Sequence, residues 1–188
     1  MTQAATPVLL QFREVDQEIW RDLEQLFESR GGPKNCWCMV WRATPAESKQ
    51  VSAQSRKAAL KHRVDEDTPI GIVGYQGQEP VAWCSIAPRT TYQRLGGIED
   101  EAQENVWGLA CFFVVRRLRG LGITKQLIDA AVTHAKQKGA TIVEAYPVDR
   151  DSPSYRFMGF VESFKDAGFD EVGRAGTRRY VMRRRVGY

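Results

Sequence analysis

The chemistry that this chain can offer is concentrated in Arg116-Arg117-Leu118-Arg119-Gly120-Leu121-Gly122-Ile123-Thr124. This segment follows a nearly continuous apolar run, residues 106–115. It leads into a stretch whose apolar residues Ile123, Leu127, Ile128, Ala131, Val132 and Ala135 recur at helical spacing. Gly120 and Gly122 carry no side chain where backbone N–H groups would have to approach a bulky anion. A helix N-terminus adds unpaired N–H donors and a partial positive charge, and Arg119 adds a full one. Together these parts make a site for a phosphate or pyrophosphate. A plain strand-to-helix turn with solvated arginines is the alternative, and the strand and helix on either side weigh against it. A Walker-type loop would need Gly-Lys-Ser/Thr after four intervening residues, which is absent. A dinucleotide fingerprint would need Gly or Ala where Lys125 stands.

The elements that must position this loop can be read outward from it. The apolar run has the pattern of a strand covered on both faces. Gly139 ends the helix, and residues 141–146 form the next buried strand. Strand, glycine turn, helix, strand is a βαβ unit, which implies a parallel pair with a right-handed crossover. Upstream, residues 8–12 read as a strand. Asp16 caps a helix carrying Ile19, Trp20, Leu23, Leu26 and Phe27, and Gly31-Gly32-Pro33 stops it. Cys36-Trp37-Cys38-Met39-Val40-Trp41-Arg42 is irregular, and residues 45–62 read as a polar surface helix. Residues 70–75 and 80–86 form a hairpin, and residues 90–105 a polar loop with some helix. A loop-rich stretch then leads to a short helix near residues 162–167 and two closing strands, 171–174 and 179–184. No repeat or long linker divides residues 1–188, so a single domain of mixed α/β class is expected.

The chain resembles the GNAT superfamily of acetyl-CoA-dependent N-acetyltransferases, whose pyrophosphate motif is Arg/Gln-x-x-Gly-x-Gly/Ala after the fourth main strand. Two registers fit: Arg117-Leu118-Arg119-Gly120-Leu121-Gly122, and Arg119-Gly120-Leu121-Gly122-Ile123-Thr124. The second places Leu127 and Ile128 where the family's helix carries its first buried pair. It also puts Thr124 where Gly or Ala is usual, a position from which its hydroxyl can donate to a phosphate. Gly168-Phe169-Asp170-Glu171-Val172-Gly173-Arg174 is similar to the family's Gly-Phe turn into its sixth strand. The match covers roughly residues 106–185. The fold implied is a central, mostly antiparallel twisted sheet with a parallel, splayed pair of fourth and fifth strands flanked by helices. The cofactor implied is acetyl-CoA as co-substrate, with no metal. Arg119, Gly120, Leu121, Gly122, Ile123 and Thr124 would take the diphosphate. The backbone of Phe113, Val114 and Val115 would line the pantetheine arm, with the thioester near Cys111.

The activity implied is direct attack of a primary amine, of a small molecule or peptide, on the acetyl-CoA carbonyl. A fourth-strand N–H would polarise that carbonyl. Candidate bases are Glu104, Glu144 and Asp149, each also readable as a solvated or salt-bridged carboxylate. The family's acid is a tyrosine four residues before its Gly-Phe turn. Tyr155-Arg156-Phe157-Met158-Gly159-Phe160 carries the tyrosine but runs into a helical segment. Phe164-Lys165-Asp166-Ala167-Gly168-Phe169 leads into a proper strand but has phenylalanine in the slot. Strand placement favours the second. Tyr155 or Ser163 would then substitute, or water would protonate a thiolate whose parent pKa is about 8.5. Glu104, Tyr155 and Ser163 are therefore the candidate catalytic residues. A weakly catalytic acyl-CoA-binding regulator is the alternative reading.

The remaining features set bounds. With 43% hydrophobic and 27% charged residues the chain is a globular protein, not a disordered one. The longest apolar run falls far short of a bilayer span, and the first residues carry no secretion signal, so a cytoplasmic protein without a membrane partner is expected. The four cysteines then read as free thiols, Cys84 and Cys111 buried. Cys36 and Cys38 lack the paired spacing of a zinc site and would line an apolar wall of the acceptor pocket, beside Trp37, Met39 and Trp41 as core. His62 and His134 have no ligand partner, and His134 is expected to be exposed. A net charge of +4 does not call for nucleic acid, and the arginines of residues 178–185 read as a solvated strand edge. A homodimer is compatible with the sequence.

Overall fold

The computed structural model describes residues 7–99 and 104–187. Its elements in chain order are β1 (Gln11–Glu14), α1 (Trp20–Glu28), α2 (Ala53–Asp65), β2 (Ile72–Gln76), β3 (Glu79–Pro88), β4 (Val106–Val114), α3 (Ile123–Gln137), β5 (Ile142–Ala145), α4 (Val161–Asp166), β6 (Asp170–Ala175) and β7 (Arg179–Arg185). The strands form one sheet in the order β1-β2-β3-β4-β5-β7-β6. Only β4 and β5 run parallel, joined through α3 as the βαβ pattern requires. The mixed sheet with one parallel pair is the architecture expected from the sequence.

Period-two alternation sorts the sheet's side chains into two layers. Trp83, Cys111, Phe113, Tyr146 and Val181 face α1, α2 and the aromatic turn that joins them. Cys84, Leu109, Val114, Val143 and Met182 face α3 and α4. α1 forms where expected, because Asp16 Oδ1 accepts the Ile19 N–H at 3.0 Å and Trp20, Leu23, Leu26 and Phe27 are buried on one stripe. No helix among the described residues is long and apolar enough to cross a membrane.

Several boundaries differ from the sequence reading for identifiable reasons. β1 starts at Gln11, not at residue 8, because Val8 and Leu10 bond to a side chain instead of a strand. Gln126 of α3 donates to the Val8 carbonyl at 2.7 Å and accepts the Leu10 N–H at 3.1 Å. The polar helix breaks before Ser52, whose hydroxyl accepts the Ser55 N–H and starts α2 afresh. Residues 44–47 instead form a reciprocal cap, Thr44 N–H to Glu47 Oε2 at 2.8 Å and Glu47 N–H to Thr44 Oγ1 at 3.2 Å. β7 is not a sheet edge, since it lies between β5 and β6, and Arg179 on it is 8% exposed, although Arg178 and Arg185 are exposed as expected. His134 is likewise inside: its ring packs edge-on against Trp107, and desolvation holds its pKa below the usual value.

Candidate active site

β4 carries the feature on which the site is built. Its register with β3 passes from Ser85↔Cys111 to Ile86↔Leu109, leaving Ala110 as an extra residue. The bulge turns both Ala110 and Cys111 into the layer beneath α1 and α2. Ladder pairing with β5 runs only from Val106↔Ile142 to Leu109↔Ala145, and the chain then leaves β4 to meet β7, where Tyr180 N–H reaches the Pro147 carbonyl at 2.9 Å. Beyond Leu109 the outer edge of β4 therefore has no strand beside it.

The polar groups on that edge follow from alternation. Val115 N–H donates to the Val81 carbonyl at 3.0 Å, so Phe113 and Cys111 also turn their backbone groups toward β3. Phe112 and Val114 turn theirs toward the gap. The Val114 carbonyl accepts Arg119 Nε at 2.9 Å, and no protein partner among the described residues meets the Phe112 N–H and C=O or the Val114 N–H. Phe112 had not been singled out, because nothing in a continuous apolar run shows which residues a bulge will turn outward.

The loop beyond β4 makes a single 3-10 turn, Arg116–Leu118, and then opens. Gly120 and Gly122 both sit at φ +78°, the left-handed region that disfavours other residues, and a Cβ on either would meet no protein atom within 4 Å. Gly122 caps α3 without a side-chain bond, and the backbone N–H groups of residues 120–125 have no protein acceptor among the described residues. Arg119, Leu121 and Thr124 flank this cradle, while Ile123 is buried beneath it. Arg117 is turned away, pairing with Glu79 at 2.6 Å and Gln76 at 2.7 Å on the β2–β3 hairpin. Arg119 is thus the arginine left beside the glycines.

A cleft of ≈ 630 Å³ runs from the end of α1, at Ser29 and Arg30, past Arg116 and Arg119. Through Gly31 it adjoins a hollow of ≈ 290 Å³ walled by Cys36, Cys38, Cys111, Phe112 and Phe113. Hydrogen bonding with a neighbouring thiol, then desolvation, pushes Cys36 and Cys38 well above the ordinary thiol pKa, so both are protonated wall groups. Among the described residues, no group of three or more Cys, His, Asp or Glu side chains is arranged to hold a metal ion.

The sequence candidates for proton transfer fall in different places. Glu104 precedes Ala110 by six residues, roughly 20 Å of strand, and pairs with Arg185 at 3.0 Å and Arg183 at 3.6 Å. The fold does not bring it to the gap. Glu144 is fully buried and held by Arg89, Arg183 and the Tyr146 hydroxyl at 3.0, 2.6 and 2.5 Å. Asp149 accepts the Tyr180 hydroxyl at 3.0 Å. Tyr155, at φ +59°, packs tilted against Trp41 with centroids 5.9 Å apart. Ser163 precedes Phe164 on α4, and Phe164 is sealed against Phe112 and Phe169 at 6.0 and 5.1 Å.

Comparison with known proteins agrees with this architecture. No curated protein sequence matches the chain. Among solved structures, a putative GNAT-family acetyltransferase from Desulfovibrio desulfuricans superposes with a TM-score of 0.56 at 15% identity, over 95% of this chain and 100% of its own. The ribosomal-protein-alanine N-acetyltransferase of Brucella melitensis gives 0.56 at 17%, over 94% and 99%. The PaiA N-acetyltransferase of Thermoplasma acidophilum, solved in complex with coenzyme A, gives 0.55 at 13%, over 94% and 99%. These identities speak for the fold alone. The family model described as Acetyltransferase (GNAT) family matches residues 17–160, well over half the chain. With its parallel β4–β5 pair parting at Leu109 and its glycine loop opening α3, the chain belongs to the GNAT acetyltransferase family.

Proposed function

We propose that this protein transfers an acetyl group from acetyl-CoA to a primary amine, the two reactants being held together for direct attack. The observation that carries the reading is the row of unpaired N–H groups at residues 120–125, opened by two left-handed glycines at the head of α3. A helix N-terminus with free donors suits a diphosphate, and Arg119 adds charge beside it. The open groups of Phe112 and Val114 suit the amides of a pantetheine arm, which they would bond as a strand does. Acetyl-CoA supplies the activated thioester. A β4 backbone N–H would stabilise negative charge on its carbonyl oxygen, and the apolar hollow would keep bulk water away.

Tyr155, which packs on Phe157 of the thiol hollow, and Ser163, next to Phe164 on α4, stay as the proposed proton carriers, whereas Glu104 is remote from the gap. The sealed Phe164 favours one other reading, a protein that binds acyl-CoA and reports it without efficient turnover. Calorimetric titration with acetyl-CoA, followed by thiol release over an amine panel, tests both. Heat of binding with thiol release supports acetyl transfer. Heat without release supports the regulator, and no heat removes both readings.

A further inference from the structure

The buried charges of the described residues do not balance. They are Arg42, Glu144 and Arg179, with exposures of 1, 0 and 8%. Glu144 is already matched by Arg89 and Arg183. Arg42 spreads its charge over neutral acceptors, the Cys38 and Ile70 carbonyls and the Ser85 and Tyr92 hydroxyls. Arg179 pairs with no carboxylate among the described residues. Its one hydrogen bond to the described residues is from Nη1 to the Leu95 carbonyl at 2.7 Å. Buried cations are ordinarily paired, because desolvating a lone charge is costly.

The surroundings of Arg179 are those of a held, pre-oriented group. Its guanidinium carbon lies 4.3 Å from the Trp41 ring centroid, 5.5 Å from Tyr155 and 5.9 Å from Tyr146. The rings cover the planar group and Leu95 takes one edge. The remaining N–H groups have no protein acceptor among the described residues, and none of them is sealed from solvent. A second orphan stands beside it: Trp41 is 8% exposed, and its indole N–H is buried without a partner. Tyr155, tilted against Trp41, has a left-handed backbone at φ +59°, the kind of strain that clusters at ligand sites. It also packs against Phe157, which lines the thiol hollow. Arg179 is thus linked through Tyr155 and Phe157 to the wall of the hollow proposed to receive the acetyl group.

We propose that Arg179, held against the Trp41 ring, anchors a carboxylate carried by the amine acceptor, so that the acceptors are amino acids or peptides with a free acidic group. A two-oxygen planar acceptor suits the open edge of a guanidinium whose faces are covered. The inference rests on the acetyl-transfer reading and narrows its substrate.

The test uses the full chain saturated with acetyl-CoA and pairs of primary amines, each supplied as the free carboxylate, the carboxamide and a phosphate-bearing analogue. Thiol release is expected to give kcat/KM about 10- to 100-fold higher for the carboxylates, the usual worth of hydrogen bonds to a charged group. Arg179→Gln is expected to erase that preference through KM while calorimetric acetyl-CoA affinity holds, and Arg179→Lys to restore part of it. Trp41→Phe keeps an aromatic ring but removes the pyrrole half of the indole that lies against Arg179, is expected to weaken the carboxylate preference, and serves if the Arg179 variants do not fold. Equal rates for carboxylate and carboxamide, an equal loss for both in Arg179→Gln, or a preference for the phosphate would overturn the assignment. Absence of acetyl-CoA binding in the parent chain would instead strike the underlying reading.

Discussion

Arg119 Nε donates to the carbonyl of Val114 at 2.9 Å, so the arginine beside the glycine loop is tied to the last residue of the strand whose edge lies open. One residue thus links the place for a diphosphate to the place for a pantetheine arm. Arg119→Ala is expected to weaken acetyl-CoA binding about 10-fold, with less salt dependence than the parent. Arg117→Ala, which breaks only the pairing with Glu79 and Gln76, is expected to leave the affinity within twofold. Calorimetry at two salt concentrations separates the two arginines and the two registers.

Gly122 offers a second handle on the loop. A Cβ there would meet no protein atom within 4 Å, so the loss on substitution is assigned to the left-handed backbone and to crowding of the ligand. The backbone cost is about 1–2 kcal/mol. Gly122→Val is expected to keep the fold by circular dichroism and to lose at least 10-fold in acetyl-CoA affinity.

Phe164→Tyr probes the proposal that Phe164 stands where the resemblance implies a tyrosine acid. Phe164 is fully buried, so a hydroxyl added there lacks a partner and costs about 1–3 kcal/mol of stability in the free protein. The melting temperature should fall by several degrees, and less so with CoA bound. A changed alkaline limb in the pH dependence of kcat would place the new hydroxyl at the leaving sulfur, since a proton donor stops working when it deprotonates.

Glu47 and Arg63 staple α2 to the turn that carries Trp41 and Arg42. Arg63 Nη1 and Nη2 reach Glu47 at 2.9 and 2.8 Å, and Nη2 also donates to the Arg42 carbonyl at 3.1 Å. Hydrogen bonding from Arg63 holds the Glu47 carboxyl at about 2. A carboxyl depressed by folding contributes stability that is present above its unfolded value of about 4.3 and lost as pH falls toward 2. For a partly exposed pair the contribution is on the order of 1 kcal/mol. Urea denaturation of Glu47→Gln against the parent is expected to differ at pH 6 and to converge near pH 2.

Cys36 is the exposed thiol of the four, yet hydrogen bonding with Cys38 pushes its pKa well up. Thiolate is the reactive form, so alkylation by iodoacetamide at pH 8 is expected to run at least 10-fold slower than for an unhindered thiol. Cys38→Ala should speed it, as followed by mass spectrometry.

Much of the fold was legible because its signals are local. The apolar run before Arg116, the two glycines and the spacing of Leu127, Ile128 and Ala131 are enough to lay out β4, the loop, α3 and β5. What escaped was set by contacts distant in sequence. β1 was displaced by Gln126, more than a hundred residues away. α2 buries only Leu60 and Val64, too few to show a period, so its limits were blurred. Glu104 had the right residue type beside the right strand, but at the end away from the gap, which only the β4–β5 register reveals. Arg179 looked like a surface charge because the rings that cover it come from residues 41, 146 and 155. The bulge at Ala110, which turns Cys111 inward, leaves no mark in an apolar run.

The parting of β4 from β5 has a consequence for self-association. Unsatisfied amides on an outer strand invite a second chain to add on and grow into aggregates. Here the bare stretch lies in the middle of a seven-stranded sheet, with β5 and β7 beyond it. A whole polypeptide strand has no room to slide in, whereas a thin, flexible molecule bearing a few amides does. The architecture can therefore keep adhesive groups permanently available without making the protein sticky.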